Sequence, residues 1–143
     1  MSIDPRFSWP TRIYWEDTDA GGVVYHARYV AFMERARTEW MRALGYGQES
    51  MRCGEGQVFV VRAMTLDFLK PARLDDELMA TVTLLQCRRA SLVIDQTILR
   101  GDQTLVTAQV RLAAVGARDF RPQAMEDTLY ATLKPLETKF AQH

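Results

Sequence analysis

The chain has 143 residues, of which 48% are apolar and 25% charged, and its 18 basic and 18 acidic side chains leave a formal net charge of zero. That length suits a single domain, read as residues 1–143, with enough chain to bury a sizeable core. The composition excludes disordered and collagen-like classes, and the balanced charge excludes the basic excess of a nucleic-acid binder. Cys53 and Cys87 lack the C-x-x-C spacing of a metal or redox site and are too few for a disulfide framework, so a reducing cytoplasm is expected. The first residues, Met-Ser-Ile-Asp-Pro-Arg, carry charges where a secretory signal needs an apolar run, and no window approaches the roughly 18 apolar residues of a membrane span.

Phe7, Trp9, Thr11, Ile13 and Trp15 share one parity, which predicts a half-buried strand over Phe7 to Trp15. Pro10 cannot donate to a ladder, so that strand belongs at an edge or begins in earnest after residue 10. From His26 to Leu44 the period becomes helical: Tyr29, Phe32, Met33, Ala36, Trp40, Ala43 and Leu44 form one stripe, with Glu34, Arg35, Arg37, Glu39 and Arg42 off its centre. Gly45 is suited to the left-handed conformation that ends a helix. Residues 45 to 57 read as a loop with a short helix around Ser50.

Four strands follow, over Val58 to Leu69, Glu77 to Cys87, Ser91 to Arg100 and Thr104 to Val115, all rich in Val, Leu, Ile and Thr. Short connections, Gly101-Asp102 among them, imply an antiparallel sheet. Met125, Leu129 and Leu133 mark a final short helix, which Pro135 should end. The order of elements is α+β, and a curved sheet wrapped around the long helix would bury the apolar face of each.

Between the first strand and the long helix lies Glu16-Asp17-Thr18-Asp19-Ala20-Gly21-Gly22-Val23-Val24-Tyr25-His26. Carboxylates in a glycine loop that opens onto a helix N-terminus bring a base or nucleophile beside free backbone N–H donors, an arrangement suited to acyl chemistry. Taken singly, Asp19 is equally a turn residue, His26 a helix-start residue, and Gly21 and Gly22 the glycines of any sharp strand-to-helix turn. Asp17 reads as structural, tying the loop down. Tyr29 and Phe32 read as core, and Tyr25 as either core or a lining residue beside His26. His26 has only His143 as a second histidine, which supplies no metal-ligand set.

The string Ile13 to His26, followed by Tyr29-Val30 and by Glu34-Arg35-Ala36-Arg37-Thr38-Glu39, resembles the hot-dog-fold acyl-CoA thioesterases. Within them it is most similar to the YbgC-type branch, associated with the Tol-Pal cell-envelope system of Gram-negative bacteria. Val60 to Met64, Pro71 to Asp76 and Ser91-Leu92-Val93 extend the match, which covers most of residues 7 to 115.

The resemblance implies a five-stranded antiparallel sheet around a central helix, subunits paired edge to edge as a dimer or dimer of dimers, and an active site at the subunit interface. It implies hydrolysis of acyl-CoA, with short- or medium-chain acyl groups, without metal or any cofactor besides the coenzyme A of the substrate. Asp19 takes the position of the family's catalytic carboxylate, and the backbone N–H at His26 that of the group polarising the thioester carbonyl, with the His26 side chain read as orienting substrate or water. Gly22 and Tyr25 are then substrate-binding candidates. Acyl carrier protein or lipid-synthesis enzymes are the implied partners, and a peripheral place at the inner membrane is the implied alternative to free cytoplasm. The family's second tyrosine is replaced here by Trp15, which cannot supply a phenol.

Two guanidinium groups at a strand turn, Arg88 and Arg89, could hold the phosphates of coenzyme A, with Ser91 in support and Lys70 and Arg73 as weaker candidates. They could equally be a solvated turn. Glu34 and Glu39 are placed where another hot-dog branch carries its catalytic acid, but neighbouring arginines make surface ion pairing the better explanation. A ligand-binding scaffold and a hydratase or dehydratase remain the alternative readings.

Overall fold

The computed structural model describes residues 6–47 and 56–138. Its regular elements are β1 (Phe7–Arg12), α1 (His26–Ala43), β2 (Gln57–Phe68), β3 (Glu77–Arg88), β4 (Ser91–Arg100), β5 (Gln103–Gly116) and α2 (Asp127–Leu133). The five strands form one antiparallel sheet in the order β1-β3-β4-β5-β2. Alternate residues of the strands, among them Leu78, Ala80, Val82, Leu92, Ile94, Ile98, Val110 and Leu112, are buried with the Tyr29, Phe32, Met33, Ala36 and Trp40 stripe of α1. The α+β hot-dog layout expected of the sequence is the one observed.

The elements differ from expectation in informative ways. β1 is the edge strand that Pro10 demanded, pairing only with β3, but it stops at Arg12. Ile13 is fully buried, whereas Trp15 opens a single 3-10 turn (Trp15–Asp17) with its side chain 78% exposed, so the period-two run ends before the second tryptophan. The turn forms because the Asp17 carboxylate accepts the Tyr14 N–H, drawing the chain out of the ladder. At the β4–β5 hairpin Arg100 pairs with Gln103, and Gly101 has a φ of 60° at the first of two loop positions, as a II′ turn requires.

β2 and β3 are consecutive in sequence but not neighbours in the sheet. β2 pairs with β5 at the far edge, so residues 69–76 cross the end of the sheet to reach β3. The crossing is held by hydrogen bonds. Leu69 and Lys70 donate their N–H groups to Leu105 C=O, Ala72 N–H donates to the Tyr29 hydroxyl, and Ala72 C=O accepts from Val24 N–H. Those bonds dock the N-terminal end of α1, and the loop before it, on this end of the sheet.

α2 begins two residues later than Met125, at Asp127, because the Glu126 carboxylate caps it by accepting from Thr128 N–H and Leu129 N–H. It ends at Leu133, and Pro135 lies in a following 3-10 turn (Lys134–Leu136). Arg37, expected outside the apolar stripe, is buried instead: at 9% exposure its guanidinium donates to Gln96 Oε1, and Gln96 Nε2 in turn donates to Met33 C=O and Thr81 C=O. Burial pushes the Arg37 pKa down, and the nearby Glu34 charge opposes that. The short helix expected around Ser50, and Cys53, lie outside the described residues. Cys87 is buried, and that burial raises its pKa.

Candidate active site

Residues 17 to 25 form a small hairpin. Tyr25 N–H donates to Asp17 C=O, Thr18 bridges Val24, and Asp19 N–H donates to Val23 C=O. At its tip Gly22 N–H returns to Asp19 C=O. Gly22 has a φ of 80°, so the turn is a tight one followed by a left-handed residue, which is where glycine belongs. The glycines of this loop are therefore distinct in role: Gly22 supplies the positive φ, and Gly21 donates its N–H to Asp19 Oδ1 at 2.8 Å.

Asp19 thus projects from the tip of a hydrogen-bonded hairpin, exposed in the single chain, with one carboxylate oxygen held by a backbone amide. Asp17 behaves as the supporting residue expected, at 4% exposure, accepting from Tyr14 N–H and from Arg28. His26 is the first residue of α1, and Tyr25 at the N-cap places no side-chain hydrogen bond on the helix. The first N–H groups of an α-helix have no acceptor within the helix, and its dipole makes that end electropositive. The His26 ring packs against Tyr25, with centroids 4.5 Å apart, and meets the edge of Phe68 at 6.2 Å. Tyr25 is 47% exposed, whereas Tyr29 and Phe32 are core residues. Trp15 and Tyr14 lie exposed just before the hairpin.

The paired arginines are separated by the fold. Arg89 is turned onto the C-terminal segment, where it donates to Met125 C=O at 3.1 Å and Asp127 Oδ1 at 2.9 Å and covers the Tyr130 ring. Arg88 faces the other way and lines a cavity of about 300 Å³ together with Arg62, Arg111, Gln86 and Ser91. No acidic side chain lines it, and among the described residues none of the three arginines has a salt-bridge partner. Arg62 and Arg111 were not singled out from sequence, because β2 and β5 become neighbours only in the folded sheet.

One chain does not bring this cavity to Asp19. Val23 bridges Arg73, just before β3 begins at Glu77, while Arg88 is the last residue of that strand, roughly 35 Å of extended backbone away. Lys70 and Arg73 belong to the crossing at the Asp19 end. Glu39 pairs with Arg42 at 2.6 Å, and Glu34 is exposed, so neither glutamate is drawn into the loop. Among the described residues no group of three or more His, Cys, Asp or Glu side chains is placed to hold a metal, and no helix is long and apolar enough to cross a membrane.

A hot-dog sheet that presents a carboxylate hairpin at the N-terminus of its long helix has the architecture of thioester-cleaving enzymes, and comparison agrees. The model of the thioesterase superfamily matches residues 21–107. The acyl-CoA thioester hydrolase YbgC of Escherichia coli O157:H7 is 45% identical over 129 residues, covering 90% of this chain and 96% of that one. The acyl-CoA thioesterase YbgC of Haemophilus influenzae is 39% identical over 141 residues, covering 99% and 97%. In three dimensions a probable thioesterase from Bartonella henselae superposes with a TM-score of 0.82 at 36% identity, over 85% of this chain and 99% of that one. The chain belongs to the thioesterase superfamily, with the YbgC thioesterases among its relatives.

Proposed function

We propose that the protein hydrolyses acyl-CoA thioesters, releasing a carboxylic acid and free coenzyme A. The observation that carries this reading is the hairpin itself, which mounts the Asp19 carboxylate on held backbone and runs directly into the N-terminus of α1, where Tyr25 places no side-chain cap. The thioester oxygen is placed on the His26 N–H, where a helix N-terminus stabilises the negative charge that develops as the carbonyl is attacked. Asp19 begins the reaction, either by taking a proton from water or by attacking the carbonyl carbon. The carbon–sulfur bond then breaks and the thiolate leaves as coenzyme A; on the second route the acyl group is left as an anhydride on Asp19, which water hydrolyses to release the acid and restore the carboxylate. Tyr25, in ring contact with His26, and the Gly22 backbone are the substrate-binding groups of this loop in the same reading.

In this reading the site is completed by a second copy. β2 is a twelve-residue edge strand, paired on one side by β5 and exposing Val61 and Phe68, and a long unpaired edge is a template for another strand. Edge-to-edge pairing of antiparallel copies turns the far end of one sheet toward the near end of the other. The partner's copy of the arginine cavity then receives the coenzyme A phosphates. Arg88 is retained as a phosphate ligand, and Arg62 and Arg111 join it. Arg89 is supported mainly as an anchor for α2.

Short- and medium-chain acyl groups, a cytoplasmic setting without other cofactor, and a link to envelope lipid metabolism through acyl carrier protein or lipid-synthesis enzymes complete the proposal. They are what the sequence resemblance to the YbgC branch implies. The test is incubation with an acyl-CoA panel and a thiol reagent. Wild type should release thiol, and Asp19→Asn, still folded and assembled, should not. Turnover near wild type in Asp19→Asn would overturn the assignment, and tight binding without thiol release would favour a binding scaffold.

A further inference from the structure

Asp17 stands where three parts of the hairpin region meet. Its Oδ2 accepts from Tyr14 N–H at 2.9 Å, its C=O accepts from Tyr25 N–H at 2.9 Å, and its Oδ1 receives Arg28 Nε at 2.8 Å and Nη2 at 2.7 Å. Tyr14 is in the entering chain, Tyr25 closes the hairpin, and Arg28 is the third residue of α1. Arg28 is itself located by the core, with its guanidinium 5.9 Å from the centroid of the buried Phe32 ring. Asp19 lies two residues after Asp17, and His26 lies two residues before Arg28. This forked pair therefore links the first arm of the hairpin to the helix by side chains.

We propose that the Asp17–Arg28 pair positions the reacting groups, holding the Asp19 carboxylate in fixed relation to the His26 N–H while touching neither the substrate nor the reacting atoms. The proposal rests on the reading of Asp19 and His26 given above. Hydrogen bonds inside the hairpin fix Asp19 against Val23; Val24 N–H on Ala72 C=O, with Ala72 in turn held by Tyr29 of α1, docks the second arm, and the Asp17–Arg28 pair ties the first arm to the helix. Without the guanidinium, Asp17 would be a buried carboxylate with no counter-charge, a state that proteins relieve by admitting water or opening the site. Movement of about 1 Å between groups that must act together is enough to lower turnover by about a hundredfold. Binding of the coenzyme A portion uses other residues and should change little.

The experiment compares wild type with Arg28→Ala, Arg28→Lys, Asp17→Asn and Leu133→Ala, the last removing a fully buried side chain of α2 as a matched loss of stability. Circular dichroism and size-exclusion chromatography establish folding and assembly, and kcat and KM are measured on one acyl-CoA well below each unfolding temperature. Arg28→Ala is expected to lose about 10- to 100-fold in kcat with KM within about threefold. Arg28→Lys should recover part of that loss, and Leu133→Ala should keep wild-type kcat. Wild-type kcat in Arg28→Ala, or an equal loss in Leu133→Ala, would overturn the proposal.

If Arg28→Ala fails to fold, Asp17→Asn and Arg28→Lys carry the test, since the amide keeps an acceptor for Tyr14 N–H while removing the charge. Wild-type kcat in both would overturn the positioning role, and a loss of kcat at retained KM in Asp17→Asn supports it. Failure of the underlying reading is seen separately, as turnover by Asp19→Asn. An inactive Asp19→Asn beside a fully active Arg28→Ala would remove the positioning role alone.

Discussion

Asp19 Oδ1 accepts a hydrogen bond from the backbone N–H of Gly21, two residues on, at 2.8 Å. A Cβ built on Gly21 would sit 3.2 Å from that same oxygen, whereas one on Gly22 would meet nothing within 4 Å. Gly22, and not Gly21, has a positive φ. The two glycines should consequently fail differently. Gly21→Ala is expected to lower kcat by about tenfold through the displaced carboxylate, with stability changed by less than about 0.5 kcal/mol. Gly22→Ala is expected to cost about 1–2 kcal/mol of stability through its left-handed backbone. Urea unfolding beside steady-state kinetics separates the two effects.

Tyr29 joins the long helix to the chain crossing beneath it. Its hydroxyl accepts the buried Ala72 N–H at 2.9 Å, so Tyr29→Phe removes the acceptor and leaves that amide unsatisfied. A loss of about 1–3 kcal/mol is expected, measured by urea denaturation. Burial, opposed chiefly by the Ala72 bond, raises the Tyr29 pKa, so the phenol stays neutral throughout the working range.

Asp76, at the end of the same crossing, should impose a pH dependence. Burial acts to raise its pKa, but the Arg73 N–H and the Arg100 guanidinium, 2.7 Å away, outweigh burial and leave the pKa lowered from its ordinary 3.8. A carboxylate depressed on folding stabilises the folded state above its unfolded pKa, and the contribution is lost as pH falls through the folded value. Asp76→Asn should therefore be less stable than wild type by about 1 kcal/mol at pH 7 and at pH 5, given the partial exposure of the pair. The two unfolding curves should converge as pH falls below 3.8 and toward the folded value. A difference that grows on acidification would contradict this origin.

Glu34 and Glu39 provide a control on the location of the acid. Glu39 is engaged by Arg42 on the helix surface and Glu34 is exposed, so Glu34→Gln and Glu39→Gln should keep kcat within about twofold of wild type. A loss of more than about tenfold in either, by the thiol-release assay, would move the catalytic carboxylate from the hairpin to the helix.

Periodicity and local chemistry were enough for much of this molecule. Strand and helix periods marked the five strands, the long helix and the C-terminal helix of the described residues, Pro10 marked the edge, and Gly101-Asp102 marked a hairpin, because each is dictated by neighbours in sequence. The same locality made the Asp19 loop legible: the bonds that hold Asp19 itself, from Gly21 and Gly22 and to Val23, lie within a few residues, and Gly22 has the backbone freedom the turn needs. What tertiary structure alone decided depends on groups distant in sequence. β2 leaves its successor to pair with β5, Arg37 is drawn inward by a glutamine fifty-nine residues away, and Arg88 and Arg89 go to opposite employments, one facing Arg62 and Arg111, the other holding α2. Arg28, an unremarked helix residue in the sequence, becomes the counter-charge of Asp17 once the hairpin folds back on the helix. Local hydrogen bonding writes a pattern into adjacent residues; burial and the pairing of charges are settled only when the whole chain has closed on itself.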